Sequence, residues 1–320
     1  MIKTTVLITG IAGDIGQSIA KALMGADCEL LGCDMQEFPP YRAFVKRFYP
    51  VPSAASGEAY WQALKDVIEK QRVSFLIPVS EPEILFLDGK RKEMEVLGVL
   101  VLMNDQKSLS IFLDKFETAR FLECLGLPFP RTYLVNDLKV ASLGFPVIVK
   151  SRRGCGSKSV WKIKDHQEFE DIRKKNSGGF VVQEYLGMDS DEYTTGVFSD
   201  GTKVSSITFK RKLGFGGLSS EVDLVEPLFM QDLAEKIAKA VFLKGSINIQ
   251  TRKVGDRYVP FEVNPRISST VLIRKKFGFD DVVWWMAILR GEGYSYKKAF
   301  KSGRAFRCLS EIFLDMEPVP

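Results

Sequence analysis

The 320-residue chain has a single histidine, His166, and only five cysteines, none of them in a CxxC pair. Five scattered cysteines argue against a disulfide framework, and one histidine without paired cysteines argues against a zinc site. No run approaches about 18 apolar residues, so we expect no membrane-spanning helix. The net charge of +5 comes without a dense block of Lys and Arg, which disfavours a nucleic-acid partner. The start, MIKTTVLITG, lacks the apolar region of a signal peptide, and we expect a cytoplasmic protein.

The first hundred residues alternate apolar runs with segments of helical periodicity. The predicted strands lie at 5–9, 30–34, 74–79 and 99–103, and the predicted helices at 14–24, 58–70 and 83–97. Such alternation indicates a parallel sheet with helices on both faces, which is a Rossmann-like arrangement.

After this region the pattern changes to one long helix and then to short strands. The helices are predicted at 105–125, 165–175, 229–242, 271–277 and 281–289, with a hairpin at 246–263. We therefore expect three domains. They are a Rossmann-like domain at 1–104, a linker helix with a small α+β lobe at 105–188, and a C-terminal α+β part at 189–320.

A glycine motif, TGIAGDIG, follows the first predicted strand. Gly10, Gly13 and Gly16 could aim backbone N–H groups at a dinucleotide, with Asp34 on its ribose, as in an NAD-dependent epimerase or reductase. Such enzymes usually carry a Tyr-xxx-Lys pair at mid-chain, but the only such spacing here begins at Tyr294, near the C-terminus. We favour the alternative that the glycines permit close strand–helix packing.

The segment FPVIVKSRRGCGSKSVWKI joins two predicted strands through a loop with glycines and basic residues. Lys150 ends the first strand, and Gly154 and Gly156 would let the backbone approach phosphate oxygens. Ser157 could donate a hydrogen bond, and further positive charge comes from Arg152, Arg153 and Lys158. A flexible basic hairpin would show the same pattern.

About thirty residues later, FVVQEYLGMDSDEYTTGVFSDG runs from one strand into another through a short turn. A hinge of this type can offer backbone groups to an adenine edge. An acid just beyond it, such as Glu192, can bind ribose hydroxyls or can simply be a solvated strand end.

The third pattern is a hairpin, SINIQTRKVGDRYVPFEVNPRIS. Strand alternation separates an apolar face from a polar one, and we expect Phe261 and Val263 to face the core. If Val254 pairs with Tyr258, Gln250 lies opposite Glu262. The polar face then gathers the oxygen ligands that Mg²⁺ prefers, namely Gln250, Glu262 and Asn264. A polar outer face on an ordinary hairpin is the plainer alternative.

In this order and spacing, the three patterns resemble the ATP-grasp superfamily, and most closely the carbamoyl-phosphate synthase large-subunit branch. The resemblance covers roughly residues 115–273, and GSINIQ followed by FEVNPRIS is its most specific part. It implies an ATP-grasp fold of mixed α/β and α+β class. The fold has an N-terminal Rossmann-like pre-ATP-grasp lobe, a small α+β lid lobe and a C-terminal α+β lobe.

The resemblance also implies roles for individual residues. Gln250, Glu262 and Asn264 would hold two Mg²⁺ ions, which Mn²⁺ could replace. Arg266 would contact the γ-phosphate and Lys150 the α- and β-phosphates. The residues implied around adenine and ribose are Glu184, Tyr185, Leu186 and Glu192.

Two further basic residues match the superfamily's pattern. Lys115, in DKFETARFLECLGLP, matches an early basic residue that reaches the nucleotide. Lys212, in FKRKLGFGG, lies where members carry a basic loop near the phosphates, a role that Lys210 or Arg211 could also fill.

Carbamoyl-phosphate synthase large subunits are longer and carry two such halves, so this chain looks more like the stand-alone carboxylate–amine ligases. The implied reaction uses ATP to convert a small-molecule carboxylate into an acyl phosphate, which an amine or ammonia then attacks. A homodimer is compatible with this reading. Two alternatives stay open: the NAD-dependent epimerase or reductase, and a non-catalytic ATP-binding module.

Two polar groups fit either a substrate site or a structural role. The first follows the third predicted strand and could line a substrate pocket or cap a helix: Ser80, Glu81 and Glu83. The second could hold a carboxylate or form a solvated helix face: Arg274, Lys275 and Lys276.

Overall fold

A computed structural model describes residues 4–154, 160–175, 179–187, 191–308 and 310–312. Within these ranges, no helix is both long enough and apolar enough to cross a membrane. The chain divides into two compact units. The first comprises the described residues up to Met103, residues 267–298 and the described residues from Phe306 onward, and the second comprises residues 104–266 and 299–305.

The first unit is built on a five-stranded parallel sheet in the order β3-β2-β1-β4-β5. Its strands are β1 (Thr4–Ile8), β2 (Cys28–Asp34), β3 (Arg47–Pro50), β4 (Phe75–Ile77) and β5 (Leu100–Val101). Its helices are α1 (Asp14–Leu23), α2 (Glu58–Gln71), α3 (Glu81–Asp88), α4 (Arg91–Val96), α9 (Val271–Lys276) and α10 (Asp281–Leu289). The centre of the sheet is fully buried at Val6, Leu7 and Ile8, as expected for a parallel sheet covered on both faces.

The second unit contains two antiparallel sheets and four helices. The larger sheet has the order β14-β13-β10-β11-β12-β15, from β10 (Glu192–Asp200), β11 (Val204–Leu213), β12 (Ser219–Val225), β13 (Lys244–Val254), β14 (Arg257–Asn264) and β15 (Arg304–Phe306). The smaller sheet has the order β6-β9-β7-β8, from β6 (Thr132–Leu134), β7 (Val147–Ser151), β8 (Val160–Ile163) and β9 (Phe180–Glu184). The helices are α5 (Gln106–Phe112), α6 (Lys115–Cys124), α7 (His166–Lys175) and α8 (Leu228–Ala240).

Each sheet of the second unit has its own hydrophobic core. Apolar residues of α8, among them Ile237, pack against Ile247, Ile249 and Val263 on one face of the larger sheet. The opposite face of β13 and β14 is therefore the one that carries the polar residues of the hairpin.

The single helix predicted at 105–125 is wrong, because the structure has two helices there. Asp105 caps α5 by accepting a hydrogen bond from the Ser108 amide. Asp114 interrupts the run and caps α6, accepting from the amides of Phe116 and Glu117. The helix predicted at 83–97 is also divided, into α3 and α4, although no side chain caps the start of α4.

Four strands were not predicted: β3, β6, β12 and β15. β6 follows α6 in a segment without a predicted strand, and it pairs with β9. The predicted mixture of a parallel sheet with antiparallel α+β lobes is confirmed. The three domain boundaries remain a prediction, and residues 267–298 group with the N-terminal unit.

Candidate nucleotide and metal site

The hairpin of β13 and β14 places Gln250 opposite Glu262, as predicted. The predicted route to this pairing was wrong, because Val254 pairs with Arg257 across a two-residue turn. A shift in register between Gln250 and Thr251 then makes Phe261 an extra residue of β14. The tighter turn and the bulge cancel, so the two polar side chains still face each other.

The bulge also overturns the expectation that Phe261 lies in the core with Val263. Val263 is buried in the apolar cluster, but Phe261 is only partly buried. Its ring lies under two cations, with the centroid 5.7 Å from Lys150 Nζ and 5.5 Å from Arg252 Cζ. Phe261 is therefore an apolar surface within a basic site.

Lys150 is the penultimate residue of β7 and connects the two sheets of the second unit. Its Nζ donates to the backbone oxygen of Phe261 at 3.4 Å. Burial lowers the pKa of Lys150 to about 8, with Lys115 and Arg252 adding to the effect and Glu262 opposing it. A buried lysine whose main opposite charge is one glutamate can attract further negative charge.

Glu262 is the carboxylate of the site. Burial alone would raise the pKa of Glu262, but the charges of Lys150, Lys115 and Arg266 and a side-chain hydrogen bond with Asn264 outweigh burial, and the pKa is lowered. Glu262 is therefore ionised at neutral pH. One carboxylate beside the amides of Gln250 and Asn264 is a hard oxygen donor set that suits Mg²⁺ together with phosphate and water oxygens.

The end of β14 is held in place by Asn104, which is fully buried. Its Nδ2 donates to the backbone oxygens of Ser246 at 2.8 Å and Pro265 at 2.9 Å. Because Pro265 lies between Asn264 and Arg266, this amide fixes the backbone that presents both. Sequence reasoning did not find Asn104, since nothing local marks a partner more than a hundred residues away.

Lys115 lies at the start of α6 and contacts the beginning of the glycine-containing loop. Its Nζ donates to the Gly154 backbone oxygen at 2.8 Å, and its amide donates to the Arg152 oxygen at 2.9 Å. Gly154 is exposed and adopts φ +94°, a conformation that favours glycine. Of the predicted loop residues, Gly156 and Ser157 lie outside the described residues.

The predicted adenine residues follow one another at the end of β9. Glu184 accepts from Arg131 through its Oε2, both from the amide at 3.2 Å and from Nε at 3.3 Å. The ring of Tyr185 has Lys162 Nζ 4.0 Å from its centroid. These two residues and Leu186 are partly exposed, and the Glu184 amide is already used in a hydrogen bond to the Arg131 oxygen at 2.9 Å. The contact of these residues with adenine remains a prediction.

The sequence leaves open that Glu192 is a solvated acid at the end of a strand. The structure does not support that alternative. It is buried, with 1% of its surface exposed, and it pairs with Arg211 on one neighbouring strand and with Arg252 on the other. Arg252 also donates to the Gly187 oxygen at 3.0 Å. The ribose role of Glu192 remains a prediction, and it requires movement of an arginine that now covers the carboxylate.

The three adjacent basic residues of β11 lie on alternate faces of the sheet. Arg211 is cross-strand from Glu192, on the face of Gln250. Lys212 points to the other face, where its Nζ is 2.7 Å from Glu221, and it is exposed. The geometry therefore does not support Lys212 near the phosphates, and it favours Arg211 for that role.

The N-terminal glycine motif and Asp34 are used in packing and hydrogen bonds within the protein. A Cβ on Gly16 would lie 2.4 Å from the Gly10 backbone oxygen, so this glycine is required for close packing of α1. Asp34 accepts from the Ala12 amide at 2.9 Å and the Gln36 amide at 3.0 Å, which uses both carboxylate oxygens. The packing interpretation is the one that this geometry supports.

The two ambiguous polar groups also have structural roles. Ser80 and Glu83 form a reciprocal capping box at the start of α3, and Glu83 further accepts from Thr9 Oγ1 at 2.9 Å and Tyr60 Oη at 3.1 Å. Arg274 is fully buried, so the solvated-face interpretation is wrong for this residue.

Comparison with known proteins gives a consistent assignment. A family model for the ATP-grasp domain matches residues 112–270. A carbamoyl phosphate synthase large chain of Methanothrix thermoacetophila is 26% identical over 238 residues, which covers 67% of this chain and 22% of that protein. A formate-dependent phosphoribosylglycinamide formyltransferase of Mannheimia succiniciproducens is 24% identical over 288 residues, covering 84% of this chain and 71% of that protein.

The fold also matches a solved structure. An N5-carboxyaminoimidazole synthetase from Staphylococcus aureus, complexed with ADP, superposes with a TM-score of 0.75 at 14% identity and covers 96% of this chain and 82% of that one. The predicted ATP-grasp fold is therefore confirmed. Residues 112–270 of this chain, which include α6, β13 and β14, therefore form an ATP-grasp domain.

Proposed function

We propose that this protein is an ATP-dependent, ADP-forming ligase that activates a small-molecule carboxylate as an acyl phosphate for attack by an amine or ammonia. The observation that carries the proposal is the ionised Glu262, which faces Gln250 across the hairpin and has Lys150 beside it. A carboxylate and two amides on one face of the larger sheet, with the buried cation of β7 beside them, would provide both a metal site and a phosphate site.

In phosphoryl transfer, the two cations of the site would contact different phosphates of ATP. Lys150 would pair with the α- and β-phosphates, and Arg266 with the γ-phosphate as charge moves onto the oxygen that bridges to ADP. Preorganised cations of this kind lower the barrier because they need no reorganisation in the transition state. The substrate carboxylate attacks the γ-phosphorus, ADP leaves, and the amine then displaces phosphate from the acyl group.

Gln250, Glu262 and Asn264 would hold Mg²⁺. When bound, the ions would neutralise part of the negative charge of the phosphates. Glu262 contributes a negative charge that survives at neutral pH because of Lys150 and Lys115. Asn264 contributes an amide oxygen while its NH₂ group is available to the Glu262 carboxylate.

The test is release of phosphate and ADP from MgATP over a matrix of carboxylic acids and amines. A productive pair should give both products together with a new C–N bond detected by mass spectrometry. Glu262→Gln should reduce turnover by about 10²–10³-fold, the range typical of removing one electrostatic contact in a transition state. Chelation of the metal with EDTA should abolish turnover.

Glu221→Gln is a matched control, because Glu221 lies on the opposite face of the same sheet and pairs with Lys212. It should leave turnover within a factor of about two, as for a surface ion pair. ATP-dependent ligation that persists in Glu262→Gln would reject the site assignment. Binding of MgATP without ADP release across the matrix would instead indicate a non-catalytic nucleotide-binding module.

The setting proposed for this activity is the cytoplasm, where ATP and small metabolites are available. A homodimer is proposed as the assembly, supported by the fold shared with a biotin carboxylase domain that was solved as a dimer. Sedimentation of the full chain would distinguish a dimer from a monomer.

A further inference from the structure

The start of α6 and the start of the glycine-containing loop are joined by an ion pair between the buried Asp114 and the partly exposed Arg152. Arg152 Nε lies 2.8 Å from Asp114 Oδ1 and 2.7 Å from Oδ2, and Arg153 Nε lies 3.4 Å from the same Oδ2. The other end of the Arg152 guanidinium reaches Glu117 Oε1 at 3.4 Å, and its Cζ lies 5.5 Å from the Phe116 ring centroid. We call this arrangement of Asp114, Arg152 and Glu117 the loop clamp.

Asp114 makes two kinds of contact within the loop clamp. The carboxylate caps α6 by accepting from the amides of Phe116 and Glu117, and it also binds Arg152. Only 1% of Asp114 is exposed. Burial alone would raise the pKa of Asp114, but the hydrogen bonds from Arg152 and from the two amides outweigh it, and the pKa is lowered. The carboxylate therefore stays ionised at neutral pH, which keeps the clamp closed.

Two hydrogen bonds from Lys115 to backbone oxygens extend the clamp to the residues expected at the phosphates. The Lys115 amide donates to the Arg152 oxygen at 2.9 Å, and Lys115 Nζ donates to the Gly154 oxygen at 2.8 Å. Lys115 comes directly after Asp114, and Gly154 comes two residues after Arg152. The clamp thus fixes the distance between a cation on the helix and an exposed glycine backbone on the loop.

We propose that Asp114 and Arg152 are positioning residues that set Lys115 and Gly154 for the polyphosphate of the nucleotide, and that Arg152 acts through Asp114 rather than as a phosphate ligand. The inference rests on the proposed function, because it assumes that a nucleotide binds at this face. It differs from an assignment based on charge alone, in which Arg152 would simply add to the positive charge of the loop.

The experiment compares the binding of MgAMP-PNP and of adenosine by calorimetry with the full-length chain. Arg152→Gln should weaken MgAMP-PNP about tenfold, since loss of a charge-assisted hydrogen bond is worth roughly one decade in an equilibrium constant. Adenosine has no phosphate, so its affinity should be unchanged. A residue with only a structural role would not separate the two ligands.

Two further variants separate positioning from direct contact. Arg152→Lys keeps the charge but cannot reproduce the two-sided fork, so it should bind MgAMP-PNP nearly as weakly as Arg152→Gln. Asp114→Asn keeps a good helix cap and removes the charge, so it should show the same selective loss. The double variant, Asp114→Asn with Arg152→Gln, should lose less than the sum of the two single losses, because both changes break the Arg152–Asp114 contact, while the Arg153–Asp114 and Arg152–Glu117 contacts at 3.4 Å are each broken by one change alone.

Three results would overturn the inference: wild-type affinity in Arg152→Gln, recovery of wild-type affinity in Arg152→Lys, or equal weakening of adenosine and MgAMP-PNP. Circular dichroism and the unfolding midpoint of each variant would show that it is folded. If the wild-type chain itself fails to bind MgAMP-PNP, the proposed function is rejected and the inference falls with it. A defect confined to the clamp variants concerns the inference alone.

Discussion

Lys150 carries a positive charge where burial makes that charge costly. Only 5% of the residue is exposed, and burial lowers the pKa of its ammonium group to about 8. Bound phosphates would favour the charged form and raise the pKa again. Binding of the nucleotide should therefore be coupled to uptake of a proton by this side chain.

We predict that MgATP binding takes up protons at pH 8 to 9 and that affinity falls as pH rises through about 8. The sign follows because the free protein loses the Lys150 proton in this range while the complex retains it. Calorimetry in two buffers of different ionisation enthalpy measures the uptake. Lys150→Arg, which stays charged, should abolish both the uptake and the decline. Equal proton uptake in the arginine variant would assign the effect to another group.

Single residues also show where strand alternation correctly predicts the face of the sheet on which a side chain lies. Gln250 and Glu262 face each other as alternation predicts, but Phe261 does not follow it, because the bulge inserts one residue. Arg252 could have been found from the sequence, since it lies two positions beyond Gln250 on the same strand and face. The resemblance implies Lys212 near the phosphates, but the register of β11 places Arg211 on the site's face.

At the scale of elements, the regular periodic segments were predictable and their interruptions were not. The spacing of apolar residues over 105–125 is helical throughout, so it gives no sign of the break before Asp114. The break exists because Asp114 caps α6 and binds Arg152, and Arg152 lies far away in the sequence. Strands such as β6 and β15 are short and form by pairing with distant strands, which local propensity does not report.

Helices α9 and α10 are joined by an ion pair that is entirely buried. Arg274 Nη2 lies 2.9 Å from Asp281 Oδ2, and neither side chain is exposed. Burial of two charges is expensive, but removal of one partner leaves the other charge uncompensated in a low dielectric. The pair is therefore expected to be intolerant of single substitutions.

We predict that Asp281→Asn lowers the free energy of unfolding by about 3–5 kcal/mol. The double variant, Arg274→Met with Asp281→Leu, should lose much less, because no charge remains buried. Urea unfolding followed by the fluorescence of Trp284 and Trp285 on α10 measures both changes.

Lys275→Gln is the control for this prediction, because Lys275 pairs with Asp280 at 2.8 Å but is 30% exposed. It should cost no more than about 1 kcal/mol, as exposed ion pairs do. A double variant as unstable as Asp281→Asn would show that packing around α9 and α10, rather than the buried charge, sets the cost.

At the scale of the whole molecule, the chain contains two regions whose sequences indicate nucleotide binding. The N-terminal unit has the glycine pattern of a dinucleotide site, but Gly16 is needed for packing and Asp34 is bound to backbone amides. In the second unit, Lys150 and Glu262 lie close together, and the surrounding cations Lys115, Arg252 and Arg266 leave an excess of positive charge. This second region therefore has the charges that favour binding of a polyphosphate.

We therefore predict that MgADP stabilises the full-length chain and that NADH does not. MgADP at about 100 times its dissociation constant should stabilise the fold by roughly 2.7 kcal/mol and raise the unfolding midpoint, because it binds the native state alone. NADH at the same concentration should produce no shift. Asn264→Ala should remove most of the MgADP shift, whereas Asp34→Asn should leave that shift intact even if it lowers the midpoint of the free protein. An NADH-dependent shift that disappears in Asp34→Asn would return a dinucleotide to the N-terminal unit and would contradict the packing interpretation of its glycines.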